Sequence, residues 1–383
     1  MIDRRLFIGS AAAATALLAV PGIAVAQAPT DRRFVFIVQR GAADALGTLA
    51  PTGDPAFAGL RGAFAQDFAG GARVGDFFTL HPNLAEAGRL YAAREALFVH
   101  AIASPYRERS HFDGQNILET GGHAAYALRD GWMNRLLGLL AGAERRAIAV
   151  SATVPVVLRG DREVGSYAPS ALPEASDDLL TRVGAMYERD PALHGAWEQA
   201  MQTREMAGDL AGGGRQNGGA TGALAARLLG GTEGARIAVI ETGGWDTHAN
   251  QRGRLGFALR GLDAMIGALK GGLGAEWRRT LVLVATEFGR TAAPNGTGGT
   301  DHGTGAMAML FGGAVDGGRV LADWPGLGAS SLHDGRDLRP TMALDALIAG
   351  AAAEHFGLDP ARAGRLLFPN AAALRPAAGL IRA

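Results

Sequence analysis

Thr280 to His302 reads TLVLVATEFGRTAAPNGTGGTDH. Its first seven residues, Thr280 to Thr286, are a run of β-branched and aliphatic side chains, the pattern of a strand buried on both faces. The run breaks off at Glu287, Phe288, Gly289 and Arg290, and a Gly/Asn/Thr-rich loop then leads to Asp301 and His302. Open α/β sheets bind ligands outside the carboxyl ends of their strands, so an acid and a base at a strand exit mark a candidate site. The stretch alone also allows a surface Glu287–Arg290 pair and a turn-capping His302.

The same arrangement recurs elsewhere in the chain. Arg33 to Gln39 (RFVFIVQ) predicts a strand that delivers Asp44 just beyond its end, where Asp44 also suits a helix N-cap. Helical spacing over His81 to Arg94 precedes a second buried strand, Ala96 to Ala103. That strand feeds SPYRERSHFDGQ, in which a helix is expected to begin near Ser110, with Ser110 or His111 at its amino end. A hydroxyl there faces unpaired backbone N–H groups and the positive end of the helix dipole, although an ordinary Ser cap explains it equally well. Ala147 to Thr153 and Val154 to Leu158 are short strand candidates split by Pro155. Leu172 to Met206 is mostly helical in pattern, and Ala207 to Thr221 is Gly-rich and expected as a flexible surface loop.

Arg236 to Glu241 predicts another strand, ending in TGGWDTHANQ. Asp246 and His248 stand two apart in an extended loop, so their side chains can point toward one ion. An amphipathic helix follows over Leu255 to Leu273, and Ala306 to Phe311 supplies one further strand. This alternation predicts an α/β fold, a mostly parallel central sheet with helices on both faces.

Composition narrows the chemistry. Of 383 residues, 48% are hydrophobic and 19% charged, as in a folded chain. Acidic and basic residues balance at 37 each, which gives no field favouring nucleic acid or an anionic membrane. No cysteine is present, so a metal must sit on Asp, Glu, His, Asn or hydroxyl groups. Residues 1–26 read as an export signal: Arg4 and Arg5, an Ala-rich apolar stretch, and Ala24-Val25-Ala26 before Gln27. The pair resembles the twin-arginine signal, implying the twin-arginine export machinery as a partner, with general secretion as the other route. Pro21 and Gly22 interrupt the stretch and argue against a stable membrane anchor. The expectation is a periplasmic or secreted bacterial protein, with residues 27–383 as a single domain.

Asp44, Ser110, Asp246, His248, Glu287 and His302 thus all follow predicted strands. Their oxygen and imidazole donors suit a divalent ion, zinc, manganese, iron or calcium. RGAADAL, RSHFDGQ, GGWDTHANQ, TEFGRTAAPNGTGGTDHG and GGRVLADWPGL resemble the secreted bacterial family called domain of unknown function 1501 over Arg33 to Leu358. That family is itself similar to the alkaline phosphatase and sulfatase superfamily. The resemblance implies an alkaline-phosphatase-like fold and a metal-dependent hydrolase of small-molecule phosphate or, less so, sulfate esters. It would make Ser110 the nucleophile, place Asp246, His248 and His302 on one metal, and place Asp44, Ser110 and Glu287 on a second. Where phosphatases carry Asp-His, this chain has Glu287-Phe288, so His111 or Asp301 could supply the missing ligand. Arg290, or Arg107 and Arg109, would grip substrate oxygens. The competing expectation is a non-catalytic metal- or anion-binding protein of the same fold.

Overall fold

The structure, a computed structural model, describes residues 31–140, 147–169, 177–207, 217–371 and 374–382. The export signal lies outside the described residues, as do residues 208–216 of the Gly-rich stretch. Among the described residues no helix is long and apolar enough to cross a membrane.

Strands are numbered in chain order: β1 Arg33–Gln39, β2 Leu49–Ala50, β3 Arg73–Val74, β4 Phe78–Leu80, β5 Ala96–Ala103, β6 Ala147–Ala149, β7 Gly165–Ser166, β8 Ile237–Thr242, β9 Thr280–Ala285, β10 Ala306–Phe311, β11 Arg319–Leu321 and β12 Met342–Ala343. Nine form one sheet in the order β11-β5-β10-β9-β1-β8-β6-β7, with β12 beside β5. The other three, β2, β3 and β4, form a small antiparallel sheet.

Strand β1 shows why the fold takes this form. Every residue of it is buried, and alternate side chains enter different cores. Val35 and Ile37 pack with Leu259, Leu262 and Ile266 of the Gln251–Leu273 helix. Phe34, Phe36 and Val38 pack with Trp132 and with Leu347 and Ile348 of the Leu344–Phe356 helix. Helices therefore cover both faces, and a strand apolar at every position from Phe34 to Val38 is the result. The fold is α/β with a mostly parallel sheet, as the alternation implied.

Two local expectations are corrected. Val156–Leu158 is a short 3-10 helix, because Pro155 cannot donate into a ladder. Residues 218–221 open the Gly218–Leu229 helix, capped by the Asn217 side chain accepting from the Ala220 N–H, so glycine content does not make them a loop. The exception to the parallel sheet is β10, which runs antiparallel to both β5 and β9.

Within β5, His100 is a satisfied core residue. The register shifts opposite it, and Ala101 takes φ 55°. The freed Ala101 N–H donates to His100 Nδ1 at 2.9 Å, while Nε2 lies 2.9 Å from the Leu49 carbonyl. Both nitrogens are matched in the neutral form, and burial lowers the imidazole from 6.5 to about 4. A depressed histidine contributes stability above the unfolded value that is lost as pH falls toward the folded one. His100→Gln should therefore lose less stability than the parent between pH 6.5 and pH 4, read from urea midpoints at both values. An equal loss would show that the ring does not titrate in that window.

Candidate metal centre

All strands of the large sheet except β10 point the same way, so the loops after β1, β5, β8 and β9 emerge at one edge. The loop before β10 lies at that edge too, because β10 is reversed. A hairpin joins β9 to β10, with the Thr291 N–H donating to Asp301 O at 2.8 Å and the Gly303 N–H to Gly289 O at 2.8 Å. It brings His302 back over the end of β9.

Four donor groups meet there. Asp246 Oδ1 is 3.0 Å from His248 Nε2 and 3.3 Å from His302 Nε2, and the two imidazole Nε2 atoms are 3.0 Å apart. His111 Nε2 lies 3.5 Å from Asp246 Oδ2. It is buried with no hydrogen-bond partner. His111, Asp246 and His302 form a group whose ligand atoms all lie within 4.8 Å of one another. Tetrahedral coordination at metal–nitrogen distances of about 2.0–2.1 Å has edges of about 3.3 Å, close to the separations found here.

The other nitrogen of each ring decides its tautomer. His111 Nδ1 sits 2.8 Å from Glu287 Oε1, His248 Nδ1 3.0 Å from Asp301 Oδ1, and His302 Nδ1 3.0 Å from the Arg109 carbonyl. Carboxylates and carbonyls only accept, which assigns the proton to Nδ1 in each neutral ring. Each Nε2 lone pair then faces the others and the Asp246 carboxylate. Such convergence is repulsive without a proton or a cation between them, and it is the outer support that metal-ligating histidines require.

The surroundings tune these groups. Burial opposes ionisation of Glu287, but hydrogen bonds from His111, Gln115 (3.1 Å) and the Gly41 N–H (2.9 Å) outweigh it and hold the carboxyl below its usual range. The Glu287 hydrogen bond in turn raises His111. Burial, reinforced by nearby His111, lowers His302. Asp246 is lowered because Arg290, by hydrogen bond and charge, overcomes partial burial. Hydrogen bonds from Asn295 (3.0 Å) and then His248 lower Asp301.

Several expected site residues take other positions. Asp44 is 2% exposed and bound by Arg61 and by Gln251 Nε2, and its side chain makes no hydrogen bond to the histidines. Glu287 and Asp301 stand behind His111 and His248 as acceptors. The Arg290 side chain is fully buried, donating to Asp246 Oδ1 at 2.6 Å, to Thr300 and to Gly41 O, so it presents no face to a substrate. Arg107 is held by the Ser104 and Tyr106 carbonyls and Arg109 by Asp337. Ser110 is the N-cap of the His111–Thr120 helix, yet its side chain makes no capping bond.

Sequence reasoning missed Gln115, Arg61 and Gln251. Gln115 carried a signal, since it lies four residues after His111 on one helix face. Close approaches depend on glycine at two points. Gly41 has φ 120°, and a Cβ there would lie 2.5 Å from Asp246 N; one at Gly299 would lie 2.2 Å from the His248 carbonyl carbon.

No curated protein matches the chain. Among solved structures it is similar to alkaline phosphatase from the Antarctic bacterium TAB5, at 11% identity over 74% of this chain and 92% of that one, TM-score 0.35. It is similar to phosphonate monoester hydrolase of Agrobacterium radiobacter at 10% identity over 86% and 74%, TM-score 0.38. A third is the C-terminal periplasmic domain of EcEptC from Escherichia coli in complex with Zn, at 10% identity over 74% and 73%, TM-score 0.34. At these scores nothing about the site is carried across. A family model matches residues 96–366, a span containing the WDTH, EFGR and TDHG motifs, and the chain belongs to the family described as protein of unknown function (DUF1501).

Proposed function

We propose that the chain is an exported, metal-dependent hydrolase of phosphate esters, and less readily of sulfate esters, with Ser110 as nucleophile. The observation that carries the reading is the convergence of three imidazole Nε2 atoms on the Asp246 carboxylate, each ring oriented by an acceptor at Nδ1. His111, Asp246, His248 and His302 would hold one ion. Three nitrogens and a carboxylate suit zinc, iron or manganese, whereas calcium takes oxygen ligands. Arg61 already neutralises Asp44, which speaks for one ion over two. When bound, the cation supplies Lewis acidity toward an ester oxygen.

The protein groups do the rest. Ser110 is flanked by Arg109, whose carbonyl holds His302, and by His111 itself. Its uncommitted hydroxyl stands at a helix amino end, where N–H groups favour anionic oxygens. Attack by Ser110 Oγ forms a Ser–O–P bond as the ester P–O bond breaks, and the alcohol leaves with the proton. Water then cleaves the Ser–O–P bond, releasing phosphate and restoring the hydroxyl. Arg290 and the carboxylates of Glu287 and Asp301 orient the ligands, and Arg4 and Arg5 with the residues up to Ala26 direct export to the periplasm by the twin-arginine machinery.

A second reading rests on the donor count. Four protein groups complete a tetrahedron, as in structural zinc sites, whereas catalytic zinc keeps a position open. Under it, chelation lowers the melting temperature and no ester turns over.

Elemental analysis of the metal-supplied protein should find about one equivalent of a transition metal, lost in His302→Ala and Asp246→Ala; folded protein without metal would remove the hydrolase mechanism. Ser110→Ala should abolish turnover of 4-nitrophenyl phosphate and bis(4-nitrophenyl) phosphate while keeping the metal, and full activity in that variant would exclude Ser110. Glu287 keeps His111 protonated to higher pH than the ordinary 6.5, and an imidazolium cannot ligate. Zinc affinity should accordingly begin to fall above pH 6.5 on acidification, and a flat profile in chelator competition from pH 8 to pH 6 would take His111 out of the ligand set.

A further inference from the structure

Behind the donor groups runs a buried polar chain that ends on Arg290 and Asp246. At its centre is Gln251, the first residue of the Gln251–Leu273 helix and 1% exposed. Its Oε1 accepts from Thr247 Oγ1 at 2.9 Å and from Thr300 Oγ1 at 2.6 Å. Its Nε2 donates to Asp44 Oδ2 at 2.5 Å, and Arg61 completes that carboxylate as an ion pair. Thr300 Oγ1 also accepts from Arg290 Nε at 3.1 Å, and Arg290 reaches Asp246 Oδ1. The Asp44 carboxylate decides which way the amide faces, because a flipped amide would set oxygen against oxygen.

The two threonines are placed to matter. Thr247 lies between the donors Asp246 and His248, fully buried where its neighbours turn toward the centre. Thr300 is two residues before His302 and also fully buried. One amide oxygen thus joins the two loops that carry three of the four donor groups.

We propose that Gln251 is a positioning residue that sets the geometry of the metal group, locking the two loops together and fixing Asp246 through Thr300 and Arg290. The inference rests on the metal-binding reading above. Losing an outer support of a metal site costs about 10–100-fold in affinity, and Gln251→Leu should weaken zinc binding by that much. Gln251→Glu sets a second carboxylate against Asp44 and should also weaken it. Adding Asp44→Asn to Gln251→Glu restores one amide and one carboxylate at the same net charge, and should recover most of the affinity.

The experiment is chelator-competition titration with zinc, alongside the visible spectrum of the cobalt-loaded protein, on the full chain and these variants, with folding checked by near-ultraviolet circular dichroism. Weakened zinc binding and altered cobalt bands in folded Gln251→Leu, reversed in the double variant, support the assignment. Parental affinity and bands in folded Gln251→Leu overturn it while leaving the metal site standing. If the leucine variant does not fold, failure of Asp44→Asn to rescue Gln251→Glu overturns it instead. A parent chain that takes up neither zinc nor cobalt overturns the metal reading itself, and this inference with it.

Discussion

The direction of one strand governs the site. Because β10 runs against β5 and β9, the chain enters it at the edge where its neighbours end. Had β10 been parallel, the residues before it would lie at the opposite edge, a strand's length from Asp246. The antiparallel pairing needs only a hairpin, where a parallel one needs a crossover of a dozen or more residues. The same 20-residue passage that reverses the chain, 286–305, carries Glu287, Arg290, Asp301 and His302.

Around that constraint the charges are arranged in pairs. A buried carboxylate without a partner is costly, and removing one member of a buried ion pair costs about 3–5 kcal/mol. Asp44 has Arg61 and Glu287 has His111 with two N–H donors, while the partly exposed Asp246 has the buried Arg290. The His111 Nε2 is one of several buried side-chain atoms without a hydrogen-bond partner among the described residues. It lies 3.5 Å from Asp246 Oδ2 and beside the His302 ring, an arrangement that would fit a cation.

Much of this was legible in the residues. Continuous apolar runs identified β1, β5, β8, β9 and β10, because strands covered on both faces need no polar alternation. The i, i+2 spacing of Asp246 and His248 anticipated two side chains on one side of an extended loop. What was not legible depended on partners distant in sequence. Asp44 reads equally as a ligand or as half of an ion pair until Arg61 is seen beside it. Arg290 reads as a substrate clamp until its burial is known. Glu287 and Asp301 have the chemistry of ligands, and only the fold shows them against His111 Nδ1 and His248 Nδ1.

The residues alone carry the elements and the chemical inventory: buried strands from unbroken apolar runs, a helix beginning beside Ser110, and a donor set without thiolates. These depend on local propensity and composition, which each segment carries alone. Long-range packing sets which donor groups meet and which are paired elsewhere. Those outcomes rest on the direction of β10, on glycine-dependent close approach at Gly41 and Gly299, and on which buried charge finds which partner across 17 to 249 residues of chain. No segment contains that information until the sheet has formed.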